Sequence, residues 1–154
     1  MTQFQTKTTI GSWSLMMTKV VDHYGLDSRS VFDHLGLEVN HLRKNNVRLD
    51  NQQVNGIWQH ALTLTQDRYI SLRFAQMAKQ FAFNILGLCM EVTHNAHEAL
   101  ENFERHAKYL DDTLDVNIEH NQGDIILSIH TLTDSILSER LNIEALLGTI
   151  KTIL

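Results

Sequence analysis

The sequence predicts an α+β domain, mainly helical, with a small antiparallel β-hairpin or sheet packed on the helices. Three observations carry that expectation. Apolar residues recur at helical spacing through most of the chain, as they do where one stripe of each helix is buried. Near residue 114 the pattern changes to strict alternation around an Asn-Gln-Gly-Asp turn, which reads as a hairpin. The length of 154 residues and the 43% hydrophobic content suit one domain with a real core, so residues 1–154 are expected to form a single unit.

The elements follow in order. Ile10, Trp13, Met16, Met17, Val20, Val21 and Tyr24 lie on one face, and Gly25 sits at a C-cap position, predicting a first helix over about Ser12 to His23. Asp27 can cap a shorter helix carrying Val31, Phe32 and Leu35 before Gly36 stops it. One further turn over Val39–Leu42 and a short extended link at Val47–Leu49 come next. Asp50 with Gln53 has capping-box spacing, ahead of a stripe of Val54, Ile57, Trp58, Ala61 and Leu62. A helical segment with Ile70, Leu72, Phe74 and Ala75 follows. Phe81 to Val92 is almost continuously apolar, which predicts a central helix buried on most sides. Asn95 and Glu98 form a second capping pair for a helix with Ala99, Leu100, Phe103, Ala107 and Leu110 inside. Leu114, Val116 and Ile118, then Ile125, Leu127 and Ile129, alternate on the two arms of the hairpin. A lone hairpin is marginal in water, so its apolar face must pack on the helices or pair with more strands. From Asp134 a last helix carries an apolar stripe to Leu154, without a C-cap.

Composition excludes several classes. A net charge of -5 with scattered Lys and Arg lacks the basic face on which phosphate binding depends. Cys89 is the only cysteine, so no internal disulfide forms, which fits a reducing, cytoplasmic location. The N-terminus lacks the apolar run of a signal peptide, and no stretch has membrane-spanning length.

No catalytic constellation stands out. Cys89 lies in the most apolar segment, where a thiol behaves as a small hydrophobe. There is no G-x-S-x-G elbow; Ser135 and Ser138 fall where serines cap helices, and Asp111-Asp112 falls at a helix end facing solvent. The glycines are isolated singles rather than a phosphate loop. His94, His97 and His106 raise a metal hypothesis, as a sensor or an enzyme, but H-x-x-H-E is neither zinc-protease arrangement. Glu98 is also accounted for by capping, through the Asn95 backbone N–H. No cofactor is implied.

Trp58 and Phe83 are candidate pocket-lining aromatics, with core packing as the alternative at each. Asn84 is the third ligand-binding candidate: buried in an apolar run, it would need a partner, since an unpaired buried amide costs about 1–3 kcal/mol. That partner is an effector or a neighbouring backbone carbonyl. Ile143, Leu147, Ile150 and Leu154 have coiled-coil spacing and are dimer-interface candidates, with packing on the domain's own core as the alternative.

Tyr24-Gly25-Leu26-Asp27, His34-Leu35-Gly36-Leu37 and Val47-Arg48-Leu49-Asp50 stand in a recognisable order. Leu64-Thr65-Gln66-Asp67 through Arg73-Phe74, Phe83-Asn84-Ile85-Leu86-Gly87-Leu88, His97-Glu98-Ala99-Leu100 and Arg105–Tyr109 continue it. The series resembles the N-terminal, arabinose-binding-like domain of AraC-type transcription regulators, over about residues 13–150. Gln66, Arg68, Ser71 and Asn84 depart from it, standing where glycine, proline, glycine and glycine are usual.

The resemblance implies a non-enzymatic sensor of a small-molecule effector, often dimerising, that controls DNA binding by a C-terminal helix-turn-helix domain. That domain is absent from this chain, and the sensor itself is expected to be truncated on its C-terminal side. The alternatives are a ligand-free dimerisation module and the metal-binding reading above. The motifs are structural, so no ligand-contacting residue carries over.

Overall fold

A computed structural model of the chain describes residues 6–44, 47–78, 80–131 and 136–154. These form eight α-helices, a short 3-10 turn and two antiparallel two-stranded sheets, so the mainly helical α+β class is as expected. Asp134 and Ser135 lie outside the described residues, as do the side chains of Phe81 and Ser138.

The first half is a helical cluster closed by a small sheet. Strand β1 (Thr8–Ile10) leads into α1 (Gly11–His23), followed by α2 (Arg29–Asp33) and α3 (Val39–Leu42). The expected extended link is strand β2 (Arg48–Asp50), paired antiparallel with β1 through Thr9↔Leu49. Sequence periodicity gives no sign of β1, because three residues are too few to show alternation. Helix α4 (Asn51–Thr65) starts with the capping box as read: Asp50 Oδ1 accepts from Gln53 N at 2.8 Å and Gln53 Oε1 accepts from Asp50 N at 3.0 Å. Two backbone donors are thereby satisfied at one helix end.

Helix α5 (Ile70–Met77) packs against the last helix, α8 (Ile136–Ile153). Gly148 permits that approach, since a Cβ there would lie 2.5 Å from the Ala75 Cβ. On α8, Leu141, Ala145, Leu146 and Ile150 face the core.

The apolar run from Phe81 to Val92 is not one buried helix. A 3-10 turn (Gln80–Phe83) ends at Asn84, whose φ of 55° and ψ of -134° interrupt the helix, and α6 (Ile85–Glu91) begins after it. Only Phe83, Leu86, Gly87 and Met90 of the described side chains turn inward with Ala82, while Ile85, Leu88 and Val92 are exposed. Cys89 is exposed with them, contrary to its expected burial. The correction has a simple cause: a seven-residue helix lying on the surface has an outer face, whatever residues occupy it.

Helix α7 (Ala96–Leu110) is capped by Asn95, whose side chain accepts from Glu98 N at 2.9 Å. The return bond goes one residue further back than expected, from His94 N to Glu98 Oε2. Strands β3 (Leu114–Asn121) and β4 (Asp124–Thr131) then form the hairpin, in the register Val116↔Ile129 and Ile118↔Leu127. Gln122 and Gly123 both have positive φ, the type I′ geometry that matches the twist of two strands. Val116, Ile118, Leu127 and Ile129 pack against the helical core, as the marginal stability of a free hairpin requires.

The core is centred on aromatic rings. Trp13 lies 4.6 Å from Phe74 and 5.5 Å from Phe83, while Trp58 meets Phe74 at 5.1 Å and Phe83 meets Phe103 at 5.9 Å. All five are at most 2% exposed. The Trp13 indole donates to Asn142 Oδ1 at 2.8 Å, which satisfies the buried N–H and ties α1 to α8.

Candidate functional site

The residues that carry the sequence motifs are brought together as braces. Arg48 donates from Nε to Thr8 Oγ1 at 2.7 Å, from Nη1 to Tyr109 O at 2.7 Å and from Nη2 to Thr8 O at 2.8 Å. It also lies 3.5 Å from Asp112, so one planar guanidinium joins both short strands to the end of α7. Beside it Asp111 is buried, not solvent-facing as expected, because its carboxylate accepts from Thr9 Oγ1, Thr113 N and Thr113 Oγ1 at 2.9, 2.8 and 2.6 Å. Three donors are what allow an acid to sit there.

A second brace joins Tyr24, Asp67 and Arg73. The Tyr24 hydroxyl donates to Asp67 Oδ2 at 2.5 Å, Tyr69 N donates to Asp67 Oδ1 at 2.8 Å, and Arg73 Nε lies 3.8 Å away. Burial, then the hydrogen bond to Asp67, holds the Tyr24 hydroxyl above its usual range. The Tyr24 hydrogen bond and the Tyr69 N–H hold Asp67 below the usual carboxylate range. This brace fixes the C-terminal end of α1 against the start of α5.

Two of the four departures from the motif pattern sit in backbone conformations that favour glycine: Gln66 at φ 51° and Asn84 at φ 55°. Ser71, standing in place of another glycine, is fully buried and donates to Glu144 Oε2 at 2.6 Å. That bond, followed by the one from Arg140, holds the Glu144 carboxyl below its usual range. Arg68, in place of proline, is exposed and lies over the Tyr69 ring at 4.9 Å.

Beside these braces a solvent-open cleft of about 750 Å³ lies where α1, α2 and α3 converge. That volume is in the range of small-molecule sites, roughly 300–1,000 Å³. Asp22 enters it from α1, Asp33 from α2 and Glu38 from the α2–α3 connection, and the guanidinium-bearing residues Arg29 and Arg43 complete its charged wall. Asp27 also lines it while its Oδ1 accepts from Arg29 N at 3.0 Å, the capping role read from the sequence. Most of these residues lie between the blocks Tyr24–Asp27, His34–Leu37 and Val47–Asp50, which is why motif reading passes over them. Charged residues on short surface helices carry no signal that tells a cleft wall from a solvated face.

The sequence-derived ligand candidates fall elsewhere. Trp58 and Phe83 are buried in the aromatic core. Asn84 is exposed, not buried, and lines a recess of only about 80 Å³ beside Leu15 and Tyr109. Of the terminal stripe, Leu147 and Leu154 are exposed, Ile143 is half-buried and Ile150 is packed into the chain's own core. The histidines His94, His97 and His106 are not gathered into one cluster: His94 pairs with Glu98 at 3.2 Å, His97 with Glu101 at 2.9 Å, and His106 is exposed further along α7.

The braces and the open charged cleft together make up a mainly helical α+β scaffold with a solvent-facing recess between its first three helices. The chain belongs to the family described as the arabinose-binding domain of AraC transcription regulators, N-terminal, whose sequence profile matches residues 25–154. It is thus a ligand-sensing N-terminal regulatory domain. A comparison with curated proteins finds no match. No described helix is long and apolar enough to cross a membrane.

Proposed function

We propose that this domain senses an amphoteric metabolite in the α1–α3 cleft and thereby sets the activity of a transcription regulator, without catalysing a reaction itself. The observation that carries this reading is the cleft's volume of about 750 Å³ together with its mixed wall: Asp22, Asp33 and Glu38 against Arg29 and Arg43. Carboxylates suit an ammonium or guanidinium group, and the arginines suit a carboxylate. The family description names arabinose, but a wall of full charges of both signs favours a charged ligand over a neutral sugar.

The mechanism is a population shift. The cleft is formed by the end of α1 and the two short helices α2 and α3, joined by loops, and a ligand bridging them favours the arrangement in which they are held together. Its output would be control of DNA binding by a helix-turn-helix domain outside these 154 residues, in keeping with the chain's net charge of -5. Pairing of two copies would use the exposed Leu147 on α8 and Leu154 just after it, with Ile143 at the margin.

A thermal-shift screen with free amino acids, diamines, dicarboxylic acids and pentoses tests the sensing reading. A ligand present at about 100 times its dissociation constant adds roughly 2.7 kcal/mol of stability. Amino acids or related zwitterions are expected to stabilise the domain, and Arg43→Ala and Glu38→Gln to abolish the effect. Stabilisation by pentoses alone, or by nothing in the panel, would contradict the proposed ligand class.

A further inference from the structure

The search for metal ligands among His94, His97 and His106 looks along one helix, whereas the fold brings a third group to His97 from another element. His97 and Glu101 are one turn apart on α7, with Nε2 and Oε1 separated by 2.9 Å. His120, the penultimate residue of β3, lies across from them, its ring stacked on that of His97 at 4.6 Å with 25° between the planes. One ligand atom from each residue falls within 4.8 Å of the others, and among the described residues no other trio of potential ligands does so.

We propose that His97, Glu101 and His120 form a binding site for one divalent transition-metal ion of the borderline class, such as Zn²⁺, Ni²⁺ or Cu²⁺. Two imidazoles and a carboxylate suit these ions, whereas Mg²⁺ and Ca²⁺ prefer oxygen ligands throughout. Bonds of about 2.0–2.1 Å place neighbouring ligand atoms roughly 3.3 Å apart around a tetrahedral ion. The three side chains reach that spacing by rotating at the surface, since His97 and Glu101 are 43% and 45% exposed and His120 is exposed too. No core contact has to be given up. Water completes the coordination.

A second stacked histidine pair, His34 with His60 at 4.6 Å, shows what the trio adds. That pair lacks a neighbouring carboxylate ligand in any described cluster, so it is an internal control. The ion's position also has a structural consequence. His120 lies at the tip of the hairpin, where Asn121 and Asp124 close the turn, so a bound ion staples the tip to α7.

Isothermal titration of the untagged chain with ZnCl₂ and NiCl₂ tests the site. One ion per chain is expected, unaffected by millimolar Mg²⁺. His97→Ala and His120→Ala should each weaken binding about tenfold or more, since losing even an outer-shell partner costs roughly 10–100-fold in metal affinity, and Glu101→Gln by a smaller factor. His94→Ala, His106→Ala and His34→Ala should leave it unchanged. Thermal melts of the same variants check that each remains folded, which their surface positions favour. Absence of saturable one-to-one binding would overturn the site. So would binding that survives both His97→Ala and His120→Ala, or that is lost equally in His94→Ala.

Discussion

The braced scaffold and the α1–α3 cleft use charged residues in opposite ways. Arg48, Asp67 and Asp111 spend their hydrogen bonds on the chain itself, joining segments far apart in sequence. Asp33, Glu38 and Arg43 line a surface cleft, and among the described residues no intramolecular brace of that kind holds their side chains. The difference separates two tasks that a motif conflates. Motif residues such as Arg48 and Asp67 hold the frame, whereas Asp33, Glu38 and Arg43, between those blocks, line the open cleft to which the proposed function assigns the ligand.

The sharpest way to break the comparison is to damage the frame. Phe74→Ala removes the ring that touches both Trp13 and Trp58, and should cost about 3–5 kcal/mol in urea denaturation. Such a loss is a large fraction of the stability of a typical domain. Arg48→Ala comes next. It strips three hydrogen bonds from a partly exposed guanidinium and should cost about 2 kcal/mol. Asn84→Gly goes the other way. Relief of its positive φ should stabilise the domain by about 1 kcal/mol, after glycine's extra unfolded-state entropy is counted.

Acid should act on the frame more gently. The folded-state pKa values of Asp67 and Glu144 are depressed, so the stability they contribute is fully present above their unfolded values, near 3.9 and 4.3. It is lost as pH falls through the lower folded values. Denaturation curves from pH 5 downward should therefore be shallower in Asp67→Asn with Glu144→Gln than in the parent. The smallest effect belongs to the cleft: Glu38→Gln should change stability by no more than about 0.5 kcal/mol, while ligand-induced stabilisation disappears.

Much of the frame was legible in the sequence. Period-3.6 stripes located the main helices, Asp50 with Gln53 marked the start of α4, and the alternation around Gln122-Gly123 gave the hairpin and its inward face. The failures share a cause. Phe81–Val92 was legible as apolar but not as broken, because one Asn held by its surroundings at φ 55° and ψ -134° leaves no mark on the apolar pattern. Asp111 was misplaced because its donors, Thr9 and Thr113, come from a short strand and a turn that have no pattern. The cleft was illegible for the same reason as the His97–His120 approach: both depend on which surfaces of separate elements meet, and periodicity describes one element at a time.

The division of labour is tested most directly by residue-resolved NMR. Amide and indole resonances of the labelled domain would be followed while the best stabiliser from the metabolite panel is titrated. Shifts confined to Asp22, Arg29, Asp33, Glu38 and Arg43, with the Trp13 and Trp58 indoles unmoved, are the expected result. Shifts centred on the two indoles and Phe83, with the cleft silent, would place the effector inside the aromatic core and contradict it.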